Sequence, residues 1–269
     1  MRACNRSSRF PAVVTFITLI FLYAPLAVVT AASFNSSKYG GVRRGFSLKW
    51  YEKLFTDAVI WEALVNTLVI ALLATFFSTL LGTLAALALY KGQGKLRMFH
   101  YALVYSPLVV PDVLMGISLL LLFVTLTTWG VKAGLPIELG MTTIVISHIT
   151  FCLSYVTMVV LGRLQDFDHS LIEAAQDLGA NPLQIFFRIT LPLIAPAIVA
   201  GALFAFTLSI DDFVITFFVK GAGDTTLPIY IQSAMRRGTP AVINALSVIF
   251  LILTFVLVFT SQKLLEKKK

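Results

Sequence analysis

Six stretches of this chain, residues 10–32, 63–90, 101–128, 140–161, 189–219 and 242–262, contain no Lys or Arg at all. Each is near or above the roughly 20 apolar residues that a helix needs to cross a bilayer. In hydrocarbon every backbone N–H and C=O must find a partner within its own segment or a closed barrel. The runs are continuous rather than alternating, which predicts helices and not strands. The expected fold is therefore all-α: a polytopic transmembrane helical bundle of about six spans. The third run carries Pro107 and Pro111, and the fifth Pro192 and Pro196. Prolines at these positions predict kinked or broken helices packed inside the protein.

Composition agrees. Of 269 residues, 58% are hydrophobic and 13% charged, against about 25% charged in a soluble domain. No soluble core of this size hides so much apolar surface. The net charge of +8 is scattered through loops and termini. That fits lipid headgroups better than a nucleic-acid stripe. Cys4 and Cys152 lie far apart in unlike settings, so neither a disulfide nor a metal site is expected. Arg2, Arg6 and Arg9 precede the first run as in a signal peptide, but that run is long enough to span and is read as an uncleaved first helix. No phosphate-loop, HExxH or GxSxG pattern occurs, so no cofactor and no catalysis are expected of this chain.

Ionisable residues inside spans mark cavities or partners, because a charge near the bilayer centre costs a few kcal/mol or more. Four stand out: Asp112, His148, Asp211 and Asp212. Adjacent residues on a helix point about 100° apart. Asp211 and Asp212 therefore share one cavity only if the helix unwinds there. Otherwise one faces a pathway while the other caps a helix or pairs with another subunit. Asp112 follows Pro111. It belongs either to the first turn of a resumed helix, facing the positive dipole end, or to a cavity wall. His148, between Ser147 and Thr150, reads as a packed, hydrogen-bonded group rather than a ligand. Membrane acids without membrane bases describe a path for cations. The first external segment, about 33–62, holds Trp50, Tyr51, Phe55 and Trp61. Such aromatics are interfacial anchors, or else the wall of a vestibule offering π faces to a cation.

One stretch departs from this apolar character: Ser170-Leu171-Ile172-Glu173-Ala174-Ala175-Gln176-Asp177-Leu178-Gly179, then Ala180-Asn181-Pro182 and Ile189-Thr190-Leu191-Pro192. Ser170 and Glu173 have capping-box spacing. Gly179 stands where a left-handed C-terminal cap belongs. Asn181 and Pro182 read as the cap and first position of a new helix. Glu173-Ala174-Ala175, Gly179, Ile189 and Leu191-Pro192, with their spacing, resemble the EAA signature of ABC-importer permeases. The whole chain resembles the second permease subunit of the spermidine/putrescine importers. The resemblance runs through Ser33-Phe34-Asn35-Ser36-Ser37, Lys49-Trp50-Tyr51, Ala88-Leu89-Tyr90, Ser147-His148-Ile149-Thr150-Phe151-Cys152, Phe206-Thr207-Leu208-Ser209-Ile210-Asp211-Asp212 and Asn244-Ala245-Leu246.

That resemblance implies a type I ABC-importer permease architecture and a single permease domain over residues 1–269. Within it, residues 169–190 would form a cytoplasmic coupling loop seated in an ATPase groove through Glu173, Ala174, Ala175 and Gly179. It implies a homologous permease partner forming a heterodimer, two ATPase subunits and a periplasmic or extracellular substrate-binding protein. It places the chain in the bacterial cytoplasmic (inner) membrane with both termini inside. Asp211, Asp212, Asp112, Ser209, Trp50 and Tyr90 would line a pathway for a polyamine. The charge bias supports this orientation only weakly: 12 Lys/Arg fall in segments inside and 9 outside. The segment 91–100 reads as a cytoplasmic turn. A permease of the same kind for another small cation such as ferric iron, or a proton-coupled secondary transporter, would share the membrane acids. The latter gives the Glu173 signature no role and should show inverted repeats.

Overall fold

The computed structural model describes residues 9–37, 44–92, 94–132, 138–168, 170–238, 241–252 and 255. Arg2, Cys4 and Arg6, Lys38 and Arg43, and the basic tail Lys267-Lys268-Lys269 lie outside them. The described residues are helical, with one isolated antiparallel bridge between Asn35 and Phe46. In order they form α1 (Arg9–Ser33), α2 (Lys49–Thr56), α3 (Ala58–Lys91), α4 (Gly94–Val109), α5 (Asp112–Lys132), α6 (Met141–Gln165), α7 (Ser170–Asp177), α8 (Pro182–Ile185), α9 (Leu191–Asp211), α10 (Val214–Val219) and α11 (Leu227–Arg236). An apolar helix α12 follows at Ala241–Ile252.

Five of these elements are long and apolar enough to cross a membrane: Pro11–Ser33, Ala58–Lys91, Asp112–Gly130, Met141–Gln165 and Pro182–Asp211. They match the first five runs, and α12 covers only the start of the sixth. Two runs break, one at a proline and one at an aspartate. The third divides at Val110-Pro111, between α4 and α5, because proline cannot donate to the ladder. The fifth passes through Pro192, in the first turn of α9, and Pro196, and breaks at Asp212. Before α9, Phe186–Thr190 form a π-helical turn in which the Leu191 amide donates to the Phe186 carbonyl. The segment 91–100 is not a turn throughout: α4 begins at Gly94, whose φ of 71° makes the corner after α3.

Backbone contacts divide the chain into two units. One comprises Met1–Trp61 with Ile231–Lys269, the other Glu62–Tyr230. In the first, α1 exposes its apolar side chains, including Phe16, Phe21 and Leu22. Its hydroxyls fold back onto its own carbonyls: Thr15 to Pro11, Thr18 to Val14 and Thr30 to Leu26. A threonine so satisfied can face lipid without leaving a donor unpaired. The loop after α1 is organised on Asn35. Its backbone carbonyl accepts from Trp50 Nε1 at 2.7 Å, and its side-chain oxygen accepts from the Ser37 and Arg44 amides. The Phe34 and Phe46 rings stack at 5.4 Å beside it.

In the second unit α6 is the central element, with more than half of its apolar stretch buried. Ile144, Cys152, Val156 and Val160 pack with Ile194, Ala205, Ile215 and Val219. Between helices in a bilayer, apolar burial gains little over lipid contact, so close approach and dispersion hold the bundle. Small residues permit that approach. A Cβ on Gly82 of α3 would stand 2.9 Å from Val156 Cβ, and one on Gly201 of α9 would stand 3.3 Å from Val156 Cγ1. Similarly, a Cβ on Gly116 of α5 would meet the Phe218 ring of α10 at 2.7 Å.

Candidate functional site: a broken span and a cytoplasmic knob

The break between α9 and α10 gathers the polar groups of the second unit. Helix α9 ends at Asp211, and Asp212 turns extended, with φ −63° and ψ 123°. A helix starting inside a membrane leaves its first amides unpaired, a penalty of several kcal/mol each in hydrocarbon. Asp212 meets this need. Its carboxylate accepts from the Ile215 amide at 3.3 Å, the Thr216 amide at 2.9 Å and the Thr216 hydroxyl at 2.8 Å. His148 arrives from α6. Its Nε2 lies 2.9 Å from Thr216 Oγ1 and 3.3 Å from Asp212 Oδ2, and its Nδ1 lies 2.7 Å from Ser209 Oγ. Phe151 closes the site edge-on, its ring 5.4 Å from the imidazole.

The arrangement resolves the open readings of the aspartates. Asp212 caps α10, its side chain only 9% exposed, while Asp211 beside it is exposed. His148 is packed and hydrogen-bonded, as its setting in the sequence indicates. Asp112 occupies the first turn of α5, after the break at Pro111, and its side chain is exposed. Among the six residues expected on a pathway, three are engaged by the protein's own contacts. Ser209 is 2% exposed with its hydroxyl against His148, Asp212 is occupied by α10, and Trp50 is 8% exposed. The Trp50 face already carries the Lys49 ammonium at 4.7 Å. Tyr90 is half-buried at the end of α3, and Asp112 and Asp211 remain open. The sequence reading missed Thr216. The signal for it was its position four residues after Asp212, one turn into the resumed helix.

The second feature is the knob between α6 and α9. Helix α7 starts with the Ser170 amide donating to the Asp168 carboxylate at 2.9 Å. Asp168, not Ser170, therefore serves the start of the helix, which corrects the Ser170–Glu173 capping box. Its end is as expected. Gly179 has φ 79°, its amide donates to the Gln176 carbonyl at 2.8 Å, and the Ala180 amide donates to the Ala175 carbonyl at 3.0 Å. These two bonds make a Schellman cap, which requires a left-handed residue. Asn181 then caps α8 in a reciprocal box: its side chain accepts from the Gln184 amide at 2.8 Å, and the Gln184 side chain accepts from the Asn181 amide at 3.0 Å. Pro182 follows at the first position. Ala175 is buried, while Glu173, Ala174 and Gly179 are exposed. Leu178, 88% exposed, stands out with Leu183 and Phe187 as an uncovered apolar surface.

Known proteins resemble the chain over most of its length. The putrescine transport system permease protein PotI of Escherichia coli (strain K12) is 45% identical over 240 residues, covering 89% of this chain and 84% of that protein. The spermidine/putrescine transport system permease protein PotC is 39% identical in Escherichia coli (strain K12), over 94% of this chain and 93% of that protein. The Haemophilus influenzae PotC is 36% identical over 94% and 95%. Among solved structures, a bacterial ABC transporter importing the polysaccharide alginate superposes with TM-score 0.71 at 18% identity, covering 97% of this chain and 99% of that one. The MetNI methionine ABC transporter superposes with TM-score 0.61 at 20% identity, over 78% and 97%. These structures share the fold. The sequence profile of binding-protein-dependent transport system inner membrane components matches residues 78–269, which takes in α9, α10 and the whole knob. The chain belongs to that family, the membrane-embedded permease subunits of ABC importers.

Proposed function

We propose that this chain is the membrane subunit of an ATP-driven importer of polyamines, putrescine and spermidine. The observation that carries this reading is the 45% identity with a putrescine permease over 89% of the chain. Its partners are a homologous permease, two ATPase subunits and a substrate-binding protein outside the cytoplasmic membrane, with both termini of this chain on the cytoplasmic side. It is a transport subunit and not an enzyme, so ATP is hydrolysed by the partner chains.

In this reading the knob, residues 169–190, receives the movement of the ATPase. His169 lies outside the described residues. Leu178, Leu183 and Phe187 are apolar surface of the kind a partner covers. Glu173 supplies the charge beside it, and the Gly179 cap fixes the turn. Asp211 and Asp112, exposed at the two helix breaks, present carboxylates to passing ammonium groups. Tyr90 offers an aromatic face to ammonium and methylene groups. A conduit needs sites that hold weakly enough to release, and exposed carboxylates meet that condition better than buried ones. Asp212 and Ser209 hold the break beside Asp211.

The test is uptake of radiolabelled putrescine and spermidine into proteoliposomes holding this chain with its permease partner, the ATPase and the loaded binding protein. Uptake should require ATP and all four kinds of subunit. Polyamine uptake by this polypeptide alone, without nucleotide, would refute the reading. So would a complete complex that carries another solute and no polyamine.

A further inference from the structure

We propose that His148 is a positioning residue that pins the break between α9 and α10, acting through Thr216 and Asp212 so that Asp211 stands open beside the break. The use made of Asp211 rests on the polyamine reading above, but the pin does not.

The direction of the hydrogen bonds follows from donor and acceptor capacity. Thr216 gives its hydroxyl proton to Asp212 Oδ2. Its oxygen can then only accept from the imidazole, so Nε2 of His148 carries the proton. In the neutral imidazole Nδ1 is then the acceptor, and the Ser209 hydroxyl, 2.7 Å away, donates to it. One directed chain results: Ser209 to His148, His148 to Thr216, Thr216 to Asp212. Every donor in it is used, and it ends on a carboxylate, where hydrogen bonds are strongest.

The chain joins three elements that the backbone leaves separate. Ser209 is in the last turn of α9, Thr216 in α10 and His148 in α6. A helix interrupted between Asp211 and Val214 has no ladder bond to fix the angle between its halves. The imidazole fixes it, one nitrogen on each half, and the rigid central helix supplies the reference. No other side-chain hydrogen bond from α6 reaches both halves among the described residues. The pin also fixes which aspartate is free. Asp212 is held by two amides, a hydroxyl and the imidazole, so Asp211 is the carboxylate left at the break. Helix α10 packs in turn on α5 at Gly116, four residues beyond Asp112. Both open carboxylates thus flank the one short helix that His148 holds.

The test uses the complete importer in native membranes, with this chain carrying Cys4→Ser, Cys152→Ser and Asp211→Cys. The rate at which N-ethylmaleimide labels the introduced thiol reports how the break presents that position. Thr216→Val keeps the side-chain shape and removes the hydroxyl from the middle of the chain. It should change the labelling rate about tenfold, the equivalent of losing one hydrogen bond to a charged group. Thr216→Ser, which keeps the hydroxyl, should restore the parental rate. His148→Leu should match Thr216→Val, and His148→Gln, which retains one donor, should fall between. An unchanged rate in assembled Thr216→Val, or equal rates in Thr216→Val and Thr216→Ser, overturns the pin. If His148→Leu fails to assemble, the two Thr216 variants decide. Failure of the pathway reading looks different: Asp211→Asn alone would then leave polyamine uptake at wild type, whatever the labelling shows.

Discussion

Substituting Gly82→Ala tests how the bundle holds together. The added Cβ would lie 2.9 Å from Val156 Cβ, 3.0 Å from Val156 Cγ1 and 3.0 Å from the Leu153 carbonyl oxygen. Carbon atoms in contact prefer about 3.5–4.0 Å, so α3 and α6 must part by roughly half an ångström or more. Neither neighbour can yield. Val156 is β-branched, with χ1 nearly fixed in a helix, and Leu153 O is backbone. Overpacking of this kind destabilises by about 1–3 kcal/mol, and each kcal/mol moves the melting temperature by about 2–4 °C at this chain length. Gly162→Ala is the internal control. It lies in α6 with nothing within 4 Å of its added Cβ, and should gain up to about 1 kcal/mol of helix propensity. Gly201→Ala, with its nearest contact at 3.3 Å, should fall between the two. The readout is thermal exposure of Cys152, fully buried on α6, to a fluorogenic maleimide in detergent, with all other cysteines of the complex removed. A Gly82→Ala complex that melts at or above Gly162→Ala would refute the claim that α3 and α6 meet through Gly82.

Asp211→Asn should lower polyamine uptake about tenfold or more, on the scale of one charge-assisted hydrogen bond, with membrane assembly intact by immunoblot; wild-type uptake would remove Asp211 from the pathway. Gly179→Ala places a side chain at φ 79°, a strain of about 1–2 kcal/mol, and should weaken co-purification of the ATPase subunit while the permease pair still assembles. Glu173→Ala should lower the ATPase stimulation given by the loaded binding protein and leave α7 intact, since the Ser170 amide is served by Asp168. Asn181→Ala loses one half of the box with Gln184, worth about 1 kcal/mol, and should speed amide hydrogen exchange at Gln184 more than anywhere in α6.

Several features were legible in the sequence because they depend on neighbours along the chain. The apolar runs, the glycine cap at Gly179 and the Asn181-Pro182 start are local, and each appears where its chemistry requires. The helix over Ser170–Asp177 lies where its spacing indicates, but Asp168 and Ser170 both qualify to serve its first amides, and only geometry chooses between them. The fifth run offers two places for a break, its prolines and the paired aspartates, and the break comes at Asp212. Pro192 lies in the first turn of α9 and Pro196 inside it, and neither ends the helix, whereas a carboxylate able to serve the next amides lets the span break in hydrocarbon. The partnership of Ser209, His148 and Thr216 could not be read, because it joins residues 61 and 68 positions apart. The same limit applies to Val156, which two glycines approach from α3 and α9. Trp50 had its aromatic character in view but not its neighbours, and Asn35 and Lys49 decide what its ring does.

The π turn at Phe186–Thr190 is a place where the molecule takes up length. It carries one residue more than an α-helix would hold over the same rise, and it stands between the knob and the proline-bearing α9. Excising a single residue there would close the turn into ordinary α-helix and leave the flanking helices near their present rise and azimuth. The junction of knob and span thus absorbs one surplus amino acid within the turn itself, without displacing either flank.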